Sequence, residues 1–256
     1  MRETLFTIGS FKVHGYGTLI AIGFIVAMLV AEYRAKKNGL KEEAVVDIAI
    51  IAGVCGFLGA KILYVIVSFD EFLKQPLAVL GSSGFVVYGG IIGGVAAAYI
   101  YCRIKKLNFL DYFDLVMPEI AIAQGFGRIG CFLAGCCYGR ETDSWFSVMF
   151  PDDCNFAPGS VPLIPTQLLS SAGDFLIAVI LIIVAVKLKN KLQSGNIGEL
   201  YMVLYGIGRF VIEFFRNDYR GAVGFMSTSQ FISIFIIAFA VVLYFVKVFC
   251  IFFRLS

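Results

Sequence analysis

Charge is scarce in this sequence. Asp, Glu, Lys and Arg make up 15% of its 256 residues, against about 25% in soluble globular domains. Together with a hydrophobic share of 59%, that excludes an ordinary soluble enzyme. Histidine is nearly absent: His14 is the only one. The nearest thing to a metal motif is Cys131, Cys136 and Cys137 at C-x4-C-C, which is not a usual zinc spacing, so neither a metal nor a cofactor is expected. The 7 cysteines are an odd number, which excludes a fully paired disulfide framework. The net charge of +3 is small and says little about nucleic acid; a cytoplasmic lysine bias explains it better than a basic binding face. Met1 to Lys12 lacks a basic stretch, an apolar core and a cleavage site, so no signal peptide is expected.

What is present is a series of apolar runs of about 20 residues, the length that crosses a bilayer as a helix. Seven are predicted, at about 16–33, 44–69, 84–102, 113–135, 166–186, 198–215 and 227–246. The expected fold is all-α: a single polytopic domain over residues 1–256 with seven transmembrane helices. Residues 1–14 mix Leu5, Phe6, Ile8, Phe11 and Val13 with Arg2, Glu3 and Lys12, which suits an interfacial segment. Of the 21 Lys+Arg, twelve follow spans one, three, five and seven, and six lie at the other ends. The positive-inside rule then places the N-terminus outside and the C-terminus in the cytoplasm.

The remaining three, Lys61, Arg128 and Arg209, lie inside spans. An arginine at a helix centre in hydrocarbon costs roughly 2.5 to 3.5 kcal/mol even on lenient scales. Each of the three stands about six to eight residues from the outer end of its span, about 10 Å deep at 1.5 Å per residue. Tyr16 and Tyr88 open inward-running spans near the same depth. Core accidents would scatter in depth, so an outward-facing polar cavity is expected. In span six, Tyr205, Arg209, Glu213 and Arg216 fall within about 80° of one another on a helical wheel.

Each residue also has a plain reading. Arg209 and Glu213 at i,i+4 make a structural ion pair, Arg128 pairs with Glu119, Glu213 or backbone carbonyls, and Lys61 snorkels outward. The cysteines pack against glycines, form a disulfide, or supply a thiolate. Against these stands an anionic ligand: two guanidinium forks facing one cavity match the oxygens of a phosphate.

Several stretches carry a resemblance along almost the whole chain. They are His14-Gly15-Tyr16-Gly17, Gly59-Ala60-Lys61, Tyr88-Gly89-Gly90-Ile91-Ile92-Gly93, Asp114-Leu115-Val116-Met117-Pro118, Gly127-Arg128-Ile129-Gly130, Gly139-Arg140, Pro165-Thr166-Gln167-Leu168 and Tyr205 to Arg216. Singly each is weak. Together they resemble the bacterial phosphatidylglycerol–prolipoprotein diacylglyceryl transferases. The resemblance implies a multi-pass protein of the bacterial plasma membrane with its active site toward the outer face. It would move the diacylglyceryl group of phosphatidylglycerol onto the lipobox cysteine of a preprolipoprotein, so the expected partners are that membrane lipid and the preprolipoprotein signal peptide, with no nucleic acid. It assigns Arg128 and Arg209 to the phosphate, Tyr16 and Tyr205 to the lining of the site, and Glu213 and Arg216 to the span-six network.

Three positions depart from the family's pattern: Tyr88, Cys131 and Cys136 stand where it has histidine, asparagine and glutamate. The histidine is the family's candidate base, which leaves Tyr88 as the catalytic candidate at that position. Two other readings stay open. One is a related transferase with an anionic lipid donor and a different acceptor. The other is a catalytically silent phospholipid-binding membrane protein.

Overall fold

Each predicted run is a helix in the computed structural model, which describes residues 4–8, 11–82, 84–218 and 221–254. A chain with little charge and long apolar runs satisfies its backbone polar groups internally, and in lipid an α-helix does so within one segment. In chain order the helices are α1 (Gly15–Asn38), α2 (Glu42–Val67), α3 (Phe69–Lys74), α4 (Pro76–Gly81), α5 (Val87–Ile104), α6 (Phe109–Ala134), α7 (Thr166–Lys187), α8 (Asn196–Glu213) and α9 (Thr228–Arg254). Three short antiparallel pairs complete the described residues: β1 (Thr4–Ile8) with β2 (Phe11–His14), β3 (Val148–Met149) with β4 (Pro162–Leu163), and β5 (Ala222–Val223) with β6 (Met226–Ser227). The N-terminal segment read as interfacial is therefore a hairpin. Arg2 and Glu3 lie outside the described residues.

Five helices are long and apolar enough to cross a membrane by length and composition: α1, α2, α5, α7 and α9. Their outward faces carry large apolar side chains such as Leu29, Phe57, Ile62, Ile92, Phe235 and Phe245. An apolar surface of this extent suits lipid and not water. The chain is a polytopic, all-helical membrane protein. Predicted spans four and six correspond to α6 and α8, which hold Glu119, Arg128, Arg209 and Glu213 and are less apolar for that reason.

The chain divides into two compact units, Ala31–Tyr112 and the larger Met1–Val30 with Phe113–Ser256. In the smaller unit α2 packs on α5 through small residues. A Cβ on Gly59 would overlap the Gly89 carbonyl oxygen, and a Cβ on Gly89 the Gly59 carbonyl oxygen. Only glycine on both sides permits this backbone approach. The polar groups of this pair are satisfied locally. Tyr101 donates to Asp47 at 2.5 Å, and Lys61 Nζ donates to the carbonyls of Ser82 (2.8 Å) and Gly84 (3.3 Å). Lys61 also lies over the Tyr64 and Phe85 rings.

In the larger unit the core joins Met117 and Ala121 of α6, Ile177, Ala178 and Leu181 of α7, and Ile197 and Tyr201 of α8. The Asp114 carboxylate accepts hydrogen bonds from the Gly195 and Gly198 amides at 2.6 and 2.8 Å, satisfying orphan donors at the start of α8. Lys247 of α9 reaches the same end of α8, pairing with Glu199 at 2.7 Å and donating to the Ser194 carbonyl at 3.0 Å. The connection after α6 builds its own small core from Phe150, Ala157 and Leu163, with Phe132 and Tyr138 against it.

Candidate functional site

Opposite the Lys247 end of α8, the larger unit encloses a cavity of about 150 Å³. It is lined by Arg128 of α6, Ser170, Gly173 and Asp174 of α7, and Tyr205, Gly208 and Arg209 of α8, among others. This is room for a phosphate-sized group and well below the roughly 300 to 1,000 Å³ of a pocket that swallows a whole drug-sized ligand. Gly173 and Gly208 keep it open: a Cβ on either would meet nothing within 4 Å.

The two arginines differ in what holds them. Arg209 is anchored, with Nη1 2.6 Å from Glu213 Oε2 one helical turn on and Nη2 donating to Ser229 Oγ at 2.7 Å. The Arg209–Glu213 charges meet without hydrogen-bond alignment. Among the described residues Arg128 makes no hydrogen bond or ion pair; it pairs with neither Glu119 nor Glu213. Its titratable neighbours include Tyr205, Cys131 and Asp174. A half-buried guanidinium beside a cavity, with its fork uncommitted, is arranged to meet an anion.

Tyr205 is set by a relay along α8. Tyr201 donates to Gln124 Oε1 at 2.9 Å, and the Tyr201 and Tyr205 rings stack at 5.6 Å and 16°. Arg216 lies in an adjoining cleft of about 470 Å³ with Arg140, Glu213, Asp218 and Gln230. Its Nε and Nη2 donate to the two Asp218 carboxylate oxygens at 2.8 and 2.7 Å, and Glu213 is 4.0 Å away. Burial opposes its charge, but the bonds to Asp218 and Cys137 outweigh burial and raise its pKa above the ordinary arginine value. The Arg216 fork is committed to protein, and it holds the turn after α8.

Tyr16, at the start of α1 and 45% exposed, packs against α6, where a Cβ on Gly130 would meet its ring at 3.1 Å. Tyr88 belongs to the smaller unit, in the first turn of α5, and is also 45% exposed. The structure thus brings Arg128, Arg209 and Tyr205 to one cavity, with Glu213 bracing Arg209 and Arg216 in the cleft beside it.

Asp174 is the residue the sequence reading passed over. It is buried, and it lines the cavity with both arginines. The signal was a carboxylate inside an apolar run of span length, which by default marks a functional position. Beside it α7 also clamps the turn after α6. Gln167 donates to the Cys136 carbonyl at 2.8 Å and Thr166 to the Cys137 carbonyl at 2.7 Å. The cysteines of that turn are free thiols.

The family model described as "Prolipoprotein diacylglyceryl transferase" matches residues 3–246. The chain is 46% identical over 239 residues to the phosphatidylglycerol–prolipoprotein diacylglyceryl transferase of Clostridium tetani, covering 93% of this chain and 94% of that protein. It is 45% identical over 247 residues to phosphatidylglycerol–prolipoprotein diacylglyceryl transferase 2 of Clostridium perfringens, covering 95% and 94%. A relative of the same name in Finegoldia magna is 36% identical over 248 residues, with 95% and 94% covered.

Proposed function

Since the chain belongs to the prolipoprotein diacylglyceryl transferase family, we propose that it transfers the diacylglyceryl group of phosphatidylglycerol to the lipobox cysteine thiol of a preprolipoprotein. The thiolate sulfur attacks the glycerol carbon that bears the phosphate. A C–S bond forms, the C–O bond breaks, and glycerol phosphate leaves with the electron pair. The nucleophile belongs to the substrate, so the enzyme needs none of its own.

The observation that carries this reading is the uncommitted Arg128 facing a phosphate-sized cavity beside an anchored Arg209. The diester carries one negative charge and the departing monoester gains another. Guanidiniums fixed at the phosphate therefore bind the transition state more tightly than the ground state, which is the condition for catalysis. In this scheme Arg128 takes the phosphate oxygens, Arg209 adds its field from a fixed position, Tyr205 and Tyr16 line the head-group path, and Glu213 and Arg216 position α8 and its turn. The thiol, with an ordinary pKa of about 8.5, must lose a proton. Two residues are the proposed proton handlers: Tyr88, where the family's pattern has histidine, and Asp174, whose carboxylate sits with both arginines. A proton on Asp174 would offset the charge gained by the leaving phosphate, which favours Asp174.

The proposed topology has seven spans, counting α6 and α8, with the N-terminus outside and the active site in the outer half of the membrane. Its support is the position of Lys247 and Glu199 at the α8 start, Glu199 being about 15 Å along that helix from Arg209 at 1.5 Å per residue. Those charged groups mark the end that the lysine distribution assigns to the cytoplasm.

The test is purified full-length protein in detergent with phosphatidylglycerol and a synthetic lipobox peptide, followed by mass spectrometry of the peptide. The expected result is a gain of one diacylglyceryl group, absent with a Cys→Ser peptide. Phosphatidylglycerol binding without any mass gain would overturn the transfer and leave lipid binding alone.

A further inference from the structure

Cys131, Cys136 and Cys137 are left unused by the proposed transfer, and their Sγ atoms all lie within 4.8 Å of one another. The Cys136 thiol also donates to the Cys131 carbonyl at 3.7 Å. Their spacing does not read as a metal motif; the turn closes the triangle. Gly135 at φ +71° and Cys137 at φ +65° reverse the chain, and the Cys136 amide donates to the Cys131 carbonyl at 3.1 Å. A non-glycine residue in the left-handed region is held there by its surroundings. Here the buried Gln167 and Thr166 hold the carbonyls of Cys136 and Cys137.

A disulfide would use two of these sulfurs and strand the third. A single ion uses all three. Zn–S bonds of about 2.3 Å put sulfurs roughly 3.8 to 4.0 Å apart, so closure of the triangle by an ångström or less is enough. Thiolate ligands select soft d10 cations. Three thiolates around a divalent ion carry a net charge of −1, and Arg128 and Arg216, both electrostatic neighbours of these cysteines, offset it.

We propose that Cys131, Cys136 and Cys137 form a three-thiolate site for one soft d10 cation of the Zn²⁺ class, which fastens the turn between α6 and the clamp from α7. Loading exchanges three thiol protons for one divalent ion, so it is written M²⁺ plus three thiols giving the anionic complex and three protons. The site adjoins Arg128.

The experiment uses reduced, chelator-treated full-length protein in detergent, titrated with Cd²⁺ as a spectroscopic probe and with Zn²⁺ in competition. The expected result is one Cd²⁺ per chain with a thiolate charge-transfer absorption, displaced by Zn²⁺, and about three protons released per ion. Cys131→Ser, Cys136→Ser and Cys137→Ser should each weaken binding at least about tenfold, within the range seen when metal-site groups are lost, and Cys154→Ser should leave it unchanged. Alkylation followed by peptide mass spectrometry needs no variant: Zn²⁺ should protect these three cysteines and leave Cys55 and Cys154 labelled as before. Absence of stoichiometric uptake, equal labelling with and without Zn²⁺, or a disulfide between two of the three in protein taken from the membrane would each overturn the proposal. None of these readouts depends on lipid transfer.

Discussion

Both units of the molecule place glycines on apolar helices, and the two use them in opposite ways. Between α2 and α5, Gly59 and Gly89 bring backbone onto backbone until no side-chain atom fits. On α7 and α8, Gly173 and Gly208 face open space, and the room they leave is lined by Arg128, Asp174 and Arg209. Small residues in a membrane protein therefore have two readings. Where the facing residue is also small, the helices close on each other. Where the neighbours are charged, the absent side chain preserves a polar cavity whose charged groups need a ligand or one another. A glycine ladder alone does not distinguish them.

Five variants would break or sharpen this contrast. The largest effect is expected from Arg128→Ala, which removes the uncommitted guanidinium: diacylglyceryl transfer to the peptide should fall by about 10²- to 10³-fold or more, the range for deleting one oxyanion donor. Thermal unfolding in detergent should change little, because Arg128 makes no hydrogen bond or ion pair among the described residues. Near-wild-type turnover in this variant would refute the site. Next comes Asp174→Asn, which keeps shape and removes charge. It should lower kcat by about 10²-fold, with KM nearly unchanged, if the carboxylate takes the thiol proton; Tyr88→Phe measured in parallel decides between the two candidates, since only the true acceptor shows the loss.

Gly208→Leu should fill the cavity. Head-group binding, measured as displacement of a fluorescent phosphatidylglycerol, should weaken by about tenfold, equivalent to about 1.4 kcal/mol, while the melting temperature holds or rises. Gly59→Val tests the opposite case and should have the smallest effect on the lipid site. It forces α2 from α5 and should destabilise the protein by about 1 to 3 kcal/mol, as overpacking does, read as a lower unfolding midpoint. If Gly59→Val proved neutral and Gly208→Leu unfolded the protein, the contrast between a closed and an open glycine face would be wrong.

Much of the architecture was legible because its causes are local. Hydropathy over about 20 residues marks a helix wherever the chain goes, and the predicted 166–186 and 198–215 lie against Thr166–Lys187 and Asn196–Glu213 in the structure. The shared face of Tyr205, Arg209 and Glu213 was legible for the same reason, since i,i+4 spacing is a property of one helix. The resemblance named the family that the relatives bear out, and it singled out the two arginines that the cavity contains. The N-terminal hairpin was less legible, because a short mixed segment has no period long enough to assign it a secondary structure.

The sequence by itself determined the membrane class, the helices and the family, because composition, periodicity and motif are written along the chain. Only the tertiary structure decided which arginine stands uncommitted. Arg209 finds Glu213 on its own helix but Ser229 twenty residues away, Arg216 is taken by Asp218 across a turn, and Arg128 by neither. It also decided that Asp174 faces both arginines and that three cysteines with an unpromising spacing meet as a triangle. Those outcomes depend on how α6, α7 and α8 pack and on a turn through left-handed backbone, and residue spacing carries no distance between helices.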